Sequence, residues 1–126
     1  MLEIDISSPE PVYLQIISQI GAAISEKQVV PHDKLPSIRQ LASDLEVNPN
    51  TVAKAYQILE EFDVIKTKGR AGSIVQINAQ EAFNNWLTKS TKVELNKVWQ
   101  NLKAMCPNNK TSLQIWKSAI KELRDE

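Results

Sequence analysis

Residues 35–52 read LPSIRQLASDLEVNPNTV and contain two signals for the start of a helix. In the first, Gln40 follows Ser37 at the spacing of a capping box. In the second, Asn48 can cap a helix whose first position is Pro49, a residue that is tolerated there because its missing N–H has no intrahelical partner. Apolar residues recur with helical spacing after each signal, so the stretch predicts two short helices joined by a brief turn. This arrangement is typical of a helix-turn-helix.

Elements on both sides of this stretch extend it into a small domain. Upstream, apolar residues at helical spacing predict a helix over about 10–27, with Ser8 as a candidate cap. Downstream, the hydrophobic pattern changes from helical to alternating, which predicts strands over 64–68 and 73–77. The turn between these strands contains two glycines, which permit a tight reversal. A hairpin that directly follows a helix-turn-helix is a wing.

The last part of the chain predicts two amphipathic helices. A long helix begins near Asn78 and ends at Pro107, and a second helix begins at Thr111. Each carries a narrow apolar stripe with spacings of three and four residues, which is typical of a coiled-coil seam. A lone pair of helices would leave part of each stripe in water, so we expect these residues to form a dimer interface. The candidate dimerisation residues are Leu95, Val98, Leu102, Met105, Leu113, Trp116, Ile120 and Leu123.

The predicted fold class is therefore mainly α. We expect an N-terminal winged helix-turn-helix domain, with three helices and a β-hairpin wing, over residues 1–77. A two-helix C-terminal dimerisation tail is expected over residues 78–126.

Composition excludes several classes of protein and site. The 126-residue chain has no net charge, because fifteen Lys and Arg balance fifteen Asp and Glu, and this excludes a histone-like binder of nucleic acid. The single cysteine, Cys106, excludes an internal disulfide, and with one histidine, His32, the chain has too few soft ligands for a structural zinc site. We find no phosphate-binding loop or nucleophile motif, so we expect neither an enzyme nor a cofactor. The sequence shows no signal peptide or membrane span, so we expect a cytoplasmic protein with no membrane partner.

The polar residues of the helix-turn-helix have the chemistry of a DNA-binding face. The major groove admits one helix, whose N-terminal residues reach the base edges. Asn48, Asn50 and Thr51 lie at that end of the second helix, and Lys54 follows one turn later on the same face. Asn can pair with adenine, and Thr can contact a thymine methyl or a phosphate. Asn48 can also serve purely as a helix cap.

Basic residues of the wing extend this face. Lys66, Lys68 and Arg70 place charge where a phosphate backbone or a minor groove would lie. The surrounding charge is mixed, with seven basic and ten acidic residues in residues 1–77, and an ordinary solvated surface is the alternative interpretation.

The ordered set of motifs resembles the winged helix-turn-helix of GntR-type transcription regulators. The resemblance covers about 12–77 and rests on five segments that agree in order and spacing: PVYLQI (11–16), LPSIRQLA (35–42), VNPNTV (47–52), LEE (59–61), and VI (64–65) with the glycine-containing wing that ends at Val75. In this family the arginine that matches Arg39 contacts DNA. The two short C-terminal helices are similar to those of the small YtrA-type branch, in which they chiefly dimerise.

The resemblance implies a bacterial, sequence-specific DNA-binding transcription regulator. We expect a dimeric repressor that binds a pseudo-palindromic double-stranded operator. The alternative is a winged-helix module that binds another protein and not DNA. Because the tail is too short to enclose a cavity of about 300–1,000 Å³ by itself, we expect any small-molecule effector at the dimer interface or between tail and winged helix, near the tryptophans.

Overall fold

The computed structural model describes residues 2–124. The described chain contains five α-helices and a two-stranded antiparallel sheet, with a single 3₁₀ turn, Gly69–Ala71, between the strands. In chain order the elements are α1 (Val12–Ser25), α2 (Ile38–Leu45), α3 (Pro49–Glu61), β1 (Ile65–Thr67), β2 (Ser73–Val75), α4 (Ala79–Met105) and α5 (Asn109–Arg124). The mainly α winged-helix architecture predicted from the sequence is confirmed.

Both helix starts of the central stretch are as predicted. The Ser37 hydroxyl accepts a hydrogen bond from the Gln40 backbone N–H at 3.1 Å and caps α2. Asn48 Oδ1 accepts from the Asn50 backbone N–H at 2.8 Å and caps α3, and Pro49 occupies the first position of that helix. Each bond satisfies a backbone donor that the helix itself cannot satisfy.

Two other helix starts were predicted wrongly. α1 begins at Val12 and not near residue 10, because Pro11 disfavours a helical conformation in the residue before it. α5 begins at Asn109 and not at Thr111, because Asn108 Oδ1 accepts from the Thr111 backbone N–H at 3.1 Å. The cap of α5 is therefore the asparagine directly after Pro107.

The two strands of the wing are shorter than predicted, and a third segment of the chain pairs with β2. Ile65 pairs with Val75 and Thr67 with Ser73. On the other side of β2, Lys34 forms an isolated bridge with Ile74, and the Leu35 backbone N–H donates to the Ser73 carbonyl at 2.9 Å. The segment ahead of α2 is thus hydrogen-bonded to β2, although the sheet itself consists of β1 and β2 alone.

The buried core of the winged helix includes the start of α4. Some residues of α1, α3 and each strand are almost fully buried, among them Ile16, Leu59, Ile65 and Val75. Ala79, Ala82 and Phe83 of α4 are buried among them, so the core continues beyond residue 77. The chain forms two compact units, the first ending at Trp86 and the second beginning at Leu87. The division of roles at residues 77 and 78, DNA binding before and dimerisation after, stays a prediction.

The second unit contains the rest of α4 and α5. The rings of Trp99 and Trp116 meet edge to face, with centroids 5.3 Å apart and planes at 74°. Ser112 is fully buried in this unit, and its hydroxyl donates to the Asn108 carbonyl oxygen at 3.0 Å. Over residues 2–124, no helix combines the length and the apolar character that crossing a bilayer requires.

Candidate nucleic-acid interface

The exposed N-terminus of α3 brings together three of the predicted contact residues. Asn48 and Asn50 are exposed, and Thr51 is half-buried. The cap uses Asn48 Oδ1 as an acceptor and leaves its amide nitrogen available as a donor. The two roles considered for Asn48, helix cap and DNA contact, are therefore compatible. Backbone N–H groups and polar side chains at a helix N-terminus form a local environment that favours anions.

The turn between α2 and α3 depends on an unusual backbone conformation at Glu46. This residue has φ 55° and ψ 45°, in the left-handed region. That conformation costs a non-glycine residue roughly 1–2 kcal/mol. It lets the Val47 backbone N–H reach the Ala42 carbonyl at 3.0 Å, which closes the end of α2. The Glu46 side chain is exposed.

A buried tyrosine links α3 to the segment ahead of α2. The Tyr56 hydroxyl donates a hydrogen bond of 2.7 Å to the Pro36 carbonyl oxygen. Burial raises the pKa of Tyr56 to about 12, because the phenolate would be poorly solvated. Pro36 precedes the Ser37 cap, so this bond helps to set the position of α2, whose first turn carries the exposed Arg39. Tyr56 was not predicted from the sequence, although a tyrosine within the apolar face of a helix signals a buried hydroxyl that needs a partner.

The structure places Lys54 against α1. Its Nζ lies 3.9 Å from the centroid of the Tyr13 ring, within the range of a cation–π interaction. The ammonium group therefore lies beside the start of α1. No contact between Lys54 and Tyr13 was predicted from the sequence.

The basic residues of the wing are exposed and have no ion-pair partner among residues 2–124. Lys66 lies in β1, Lys68 follows that strand, and Arg70 lies in the 3₁₀ turn. The wing is attached to the other end of α3, where Glu60 Oε1 accepts from the Thr67 backbone N–H at 3.0 Å. Since α3 has 13 residues, about 20 Å of helix separates this attachment from the Asn48 cap. Six of the eight predicted contacts are thus carried by the N-terminus of α3 and by the wing that is attached near its C-terminus, whereas Arg39 lies in α2 and Lys54 lies over Tyr13.

The predicted dimerisation residues form incompletely buried apolar surface in the second unit. Val98 is 56% exposed and Leu113 is 45% exposed. Leu95, Met105 and Leu123 are also exposed, whereas Leu102, Trp116 and Ile120 are half-buried.

Comparison with known proteins places this architecture in a family. The model of the gntR family of bacterial regulatory proteins matches residues 12–75. The HTH-type transcriptional repressor YtrA of Bacillus subtilis is 42% identical over 80 residues, which are 64% of this chain and 62% of YtrA. The matched region spans about three fifths of the length of the first curated relatives, which are HTH-type transcriptional regulators.

Solved structures extend the likeness over more of the chain. YtrA from Sulfolobus acidocaldarius, a GntR-family transcription factor, is 38% identical with a TM-score of 0.58, covering 75% of this chain and 97% of that one. A GntR family transcriptional regulator from Listeria monocytogenes is 30% identical with a TM-score of 0.58, covering 92% of this chain and 98% of that one. This chain therefore belongs to the GntR family of bacterial regulatory proteins, within which it is similar to the YtrA-like transcription regulators.

Proposed function

We propose that this chain is a sequence-specific transcription repressor that binds a pseudo-palindromic DNA operator as a homodimer. The observation that carries the proposal is the exposed N-terminus of α3, where Asn48, Asn50 and Thr51 lie together at the positive end of the helix. A helix that presents its N-terminus in this way can enter the major groove.

We assign different roles to the two ends of α3. At its N-terminus, Asn50 and Thr51 read base edges, together with Arg39 from the first turn of α2. At its C-terminus, Lys66, Lys68 and Arg70 of the wing neutralise phosphates and contribute affinity without sequence preference. Lys54 lies over Tyr13 in the absence of DNA, so we expect it to contact the phosphate backbone of DNA where that backbone passes the start of α1.

Dimerisation supplies the specificity that one winged helix lacks. A single module reads only a few base pairs, whereas two related by a two-fold axis read a pseudo-palindrome. The exposed apolar stripes of α4 and α5 support this role, because burying them against a second chain gains about 25 cal/mol per Å². Repression then follows from covering a promoter. This activity requires neither catalysis nor a cofactor, and its location is the cytoplasm. An effector at the dimer interface stays a prediction.

The decisive experiment is a gel-shift titration with the DNA upstream of the protein's own coding region. We expect a saturable complex that survives excess unrelated DNA, and a weaker one when Arg39 or Thr51 is replaced by alanine. Equal affinity for unrelated DNA, or no complex at all, would overturn the proposal. In that case the alternative of a protein-binding winged helix is favoured. Experiments that capture a protein partner should then compare the unmodified protein with the Arg39 and Thr51 variants.

A further inference from the structure

A cavity of about 550 Å³ lies within the first unit, between α1 and α2. Ile20 and Ala23 of α1 line one side, and Leu41 and Leu45 of α2 line the other. Ile20, Leu35 and Leu41 are buried core residues, so part of the wall belongs to the folded core. Pockets that enclose small organic ligands have volumes of about 300–1,000 Å³ and mostly apolar linings, and this cavity matches both properties.

The N-terminal segment, residues 2–5, contributes Leu2 to the cavity lining and is hydrogen-bonded to α1. Gln19 Oε1 accepts from the Glu3 backbone N–H at 2.8 Å, and Gln19 Nε2 donates to the Glu3 carbonyl oxygen at 2.5 Å. One helical turn earlier, Gln15 makes the same pair of bonds with Asp5, at 2.9 and 3.1 Å. Each glutamine amide thus holds the segment as a neighbouring strand would. Leu2 and Gln19 both line the cavity, so the segment keeps this side in place without a ligand.

The charge of the lining selects the class of ligand. Asp44 is the only ionisable residue among the described residues that line the cavity. Gln40 Nε2 donates to Asp44 Oδ1 at 2.7 Å, and Oδ2 has no donor within residues 2–124. A carboxylate at the edge of an apolar cavity favours a cationic partner and disfavours an anionic one. We propose that this cavity binds a small amphipathic organic cation, with its hydrophobic body between α1 and α2 and its protonated amine at Asp44.

This site is distinct from an effector position near the tryptophans, because none of the three tryptophans lines it. The cavity is also connected to the proposed DNA-binding face through α2, because this helix carries both Leu41 in the cavity wall and Arg39 on the exposed surface. A ligand that shifts α2 would therefore move Arg39. An effect of the bound cation on DNA binding rests on the proposed function. Binding of the cation to the cavity does not depend on that function, so it can be tested without DNA.

Three naphthalene compounds that share one ring system and differ in charge test the proposal on the full-length protein. We suggest 1-naphthylmethylamine, which is protonated at pH 7, with neutral 1-naphthalenemethanol and anionic 1-naphthaleneacetate, titrated by calorimetry. We expect the amine to bind about five- to tenfold more tightly than the alcohol, and the acetate more weakly than either. Equal affinity for the acetate and the amine would overturn the proposal.

Two substitutions and a spectroscopic map locate the site. Asp44→Asn should remove the preference for the amine over the alcohol, whereas Asp63→Asn, which removes the same charge elsewhere, should not. Ala23→Leu should weaken all three compounds by filling the cavity. Because Ala23→Leu can also disturb folding, methyl NMR shifts should be followed in the unmodified protein. Ligand-induced shifts centred on Ala23, Leu41 and Leu45 support the site, and shifts centred on the tail contradict it.

Discussion

The ring of Phe83 occupies the space beside Gly21 into which any side chain at that position would project. A Cβ atom on Gly21 would overlap the ring, so the glycine acts as a socket on α1 for the first turns of α4. A second link lies nearby, where the Ser25 hydroxyl donates to Gln80 Oε1 at 2.9 Å. The start of α4 is therefore held by both packing and a polar contact.

Gly21→Ala should lower the free energy of unfolding by about 1–3 kcal/mol, because the added methyl group displaces the Phe83 ring. The matched control is the same substitution in a Phe83→Ala background, where the overlap is absent. There Gly21→Ala should stabilise the protein by up to about 1 kcal/mol, through the higher helix propensity of alanine. Chemical denaturation measures both values. If Gly21→Ala changes the free energy of unfolding in the same direction in both backgrounds, the overlap with Phe83 is not the cause of the destabilisation.

Tyr56→Phe should destabilise the fold by about 1–3 kcal/mol, because it leaves the Pro36 carbonyl oxygen without its donor. The pH dependence should change as well. Because burial raises the pKa of Tyr56 above that of the unfolded chain, the tyrosine contributes full stability below pH 10 and loses it as the pH rises towards about 12. Denaturation at pH 9 and pH 11 should therefore show a larger loss in the unmodified protein than in the phenylalanine variant. Equal losses of stability in the two proteins would show that the ionisation of Tyr56 is not responsible.

Arg39→Ala and Thr51→Ala should each weaken operator binding by about 1–3 kcal/mol if these side chains read bases. Lys121→Ala is the charge-matched control for Arg39→Ala, since it removes one exposed positive charge from α5. Gel-shift titrations with operator and scrambled DNA measure the loss of discrimination. Unchanged operator affinity in both variants would remove this face from the proposed interface.

Lys68→Ala should weaken binding to all DNA sequences by a similar factor. Loss of one phosphate contact should reduce the slope of log K against log salt by about one. Measurements at several salt concentrations, with operator and unrelated DNA, provide the comparison. A loss confined to the operator would instead indicate that Lys68 reads bases.

Val98→Asp and Leu113→Asp should weaken dimerisation by at least about tenfold, because each places a carboxylate in the proposed apolar interface. Asn96→Asp adds the same group to an exposed position of α4 outside the stripe, and it should leave dimerisation unchanged. Analytical ultracentrifugation measures the dissociation constants. If the unmodified protein is monomeric at micromolar concentration and still has full operator affinity, the dimer is not the source of specificity.

Features that depend on neighbouring residues were predictable from the sequence. The Ser37 and Asn48 caps act within three residues of themselves, so local spacing was sufficient to place α2 and α3. The same reasoning failed at Thr111, because the competing cap, Asn108, has equally good local chemistry and precedes it.

Features that depend on distant residues were not predictable in this way. The pairing of Lys34 with Ile74 joins segments about forty residues apart, and no alternating pattern around Lys34 signals a strand. The placement of Lys54 over Tyr13 likewise requires the packing of α1 against α3. Helical spacing correctly places Lys54 one turn from Asn50, but it carries no information about the side chain that lies beneath the ammonium.

The seating of Phe83 on Gly21 also determines where this protein can be divided for engineering. A chimaera that joins the winged helix to a foreign sensor domain at residue 77 would discard Ala79, Ala82 and Phe83, and so would open the core that α1 contributes. A junction after Trp86 keeps these residues with the unit to which they belong. The first two turns of α4 are thus a fixed part of the winged-helix unit, and any foreign domain should be joined beyond them.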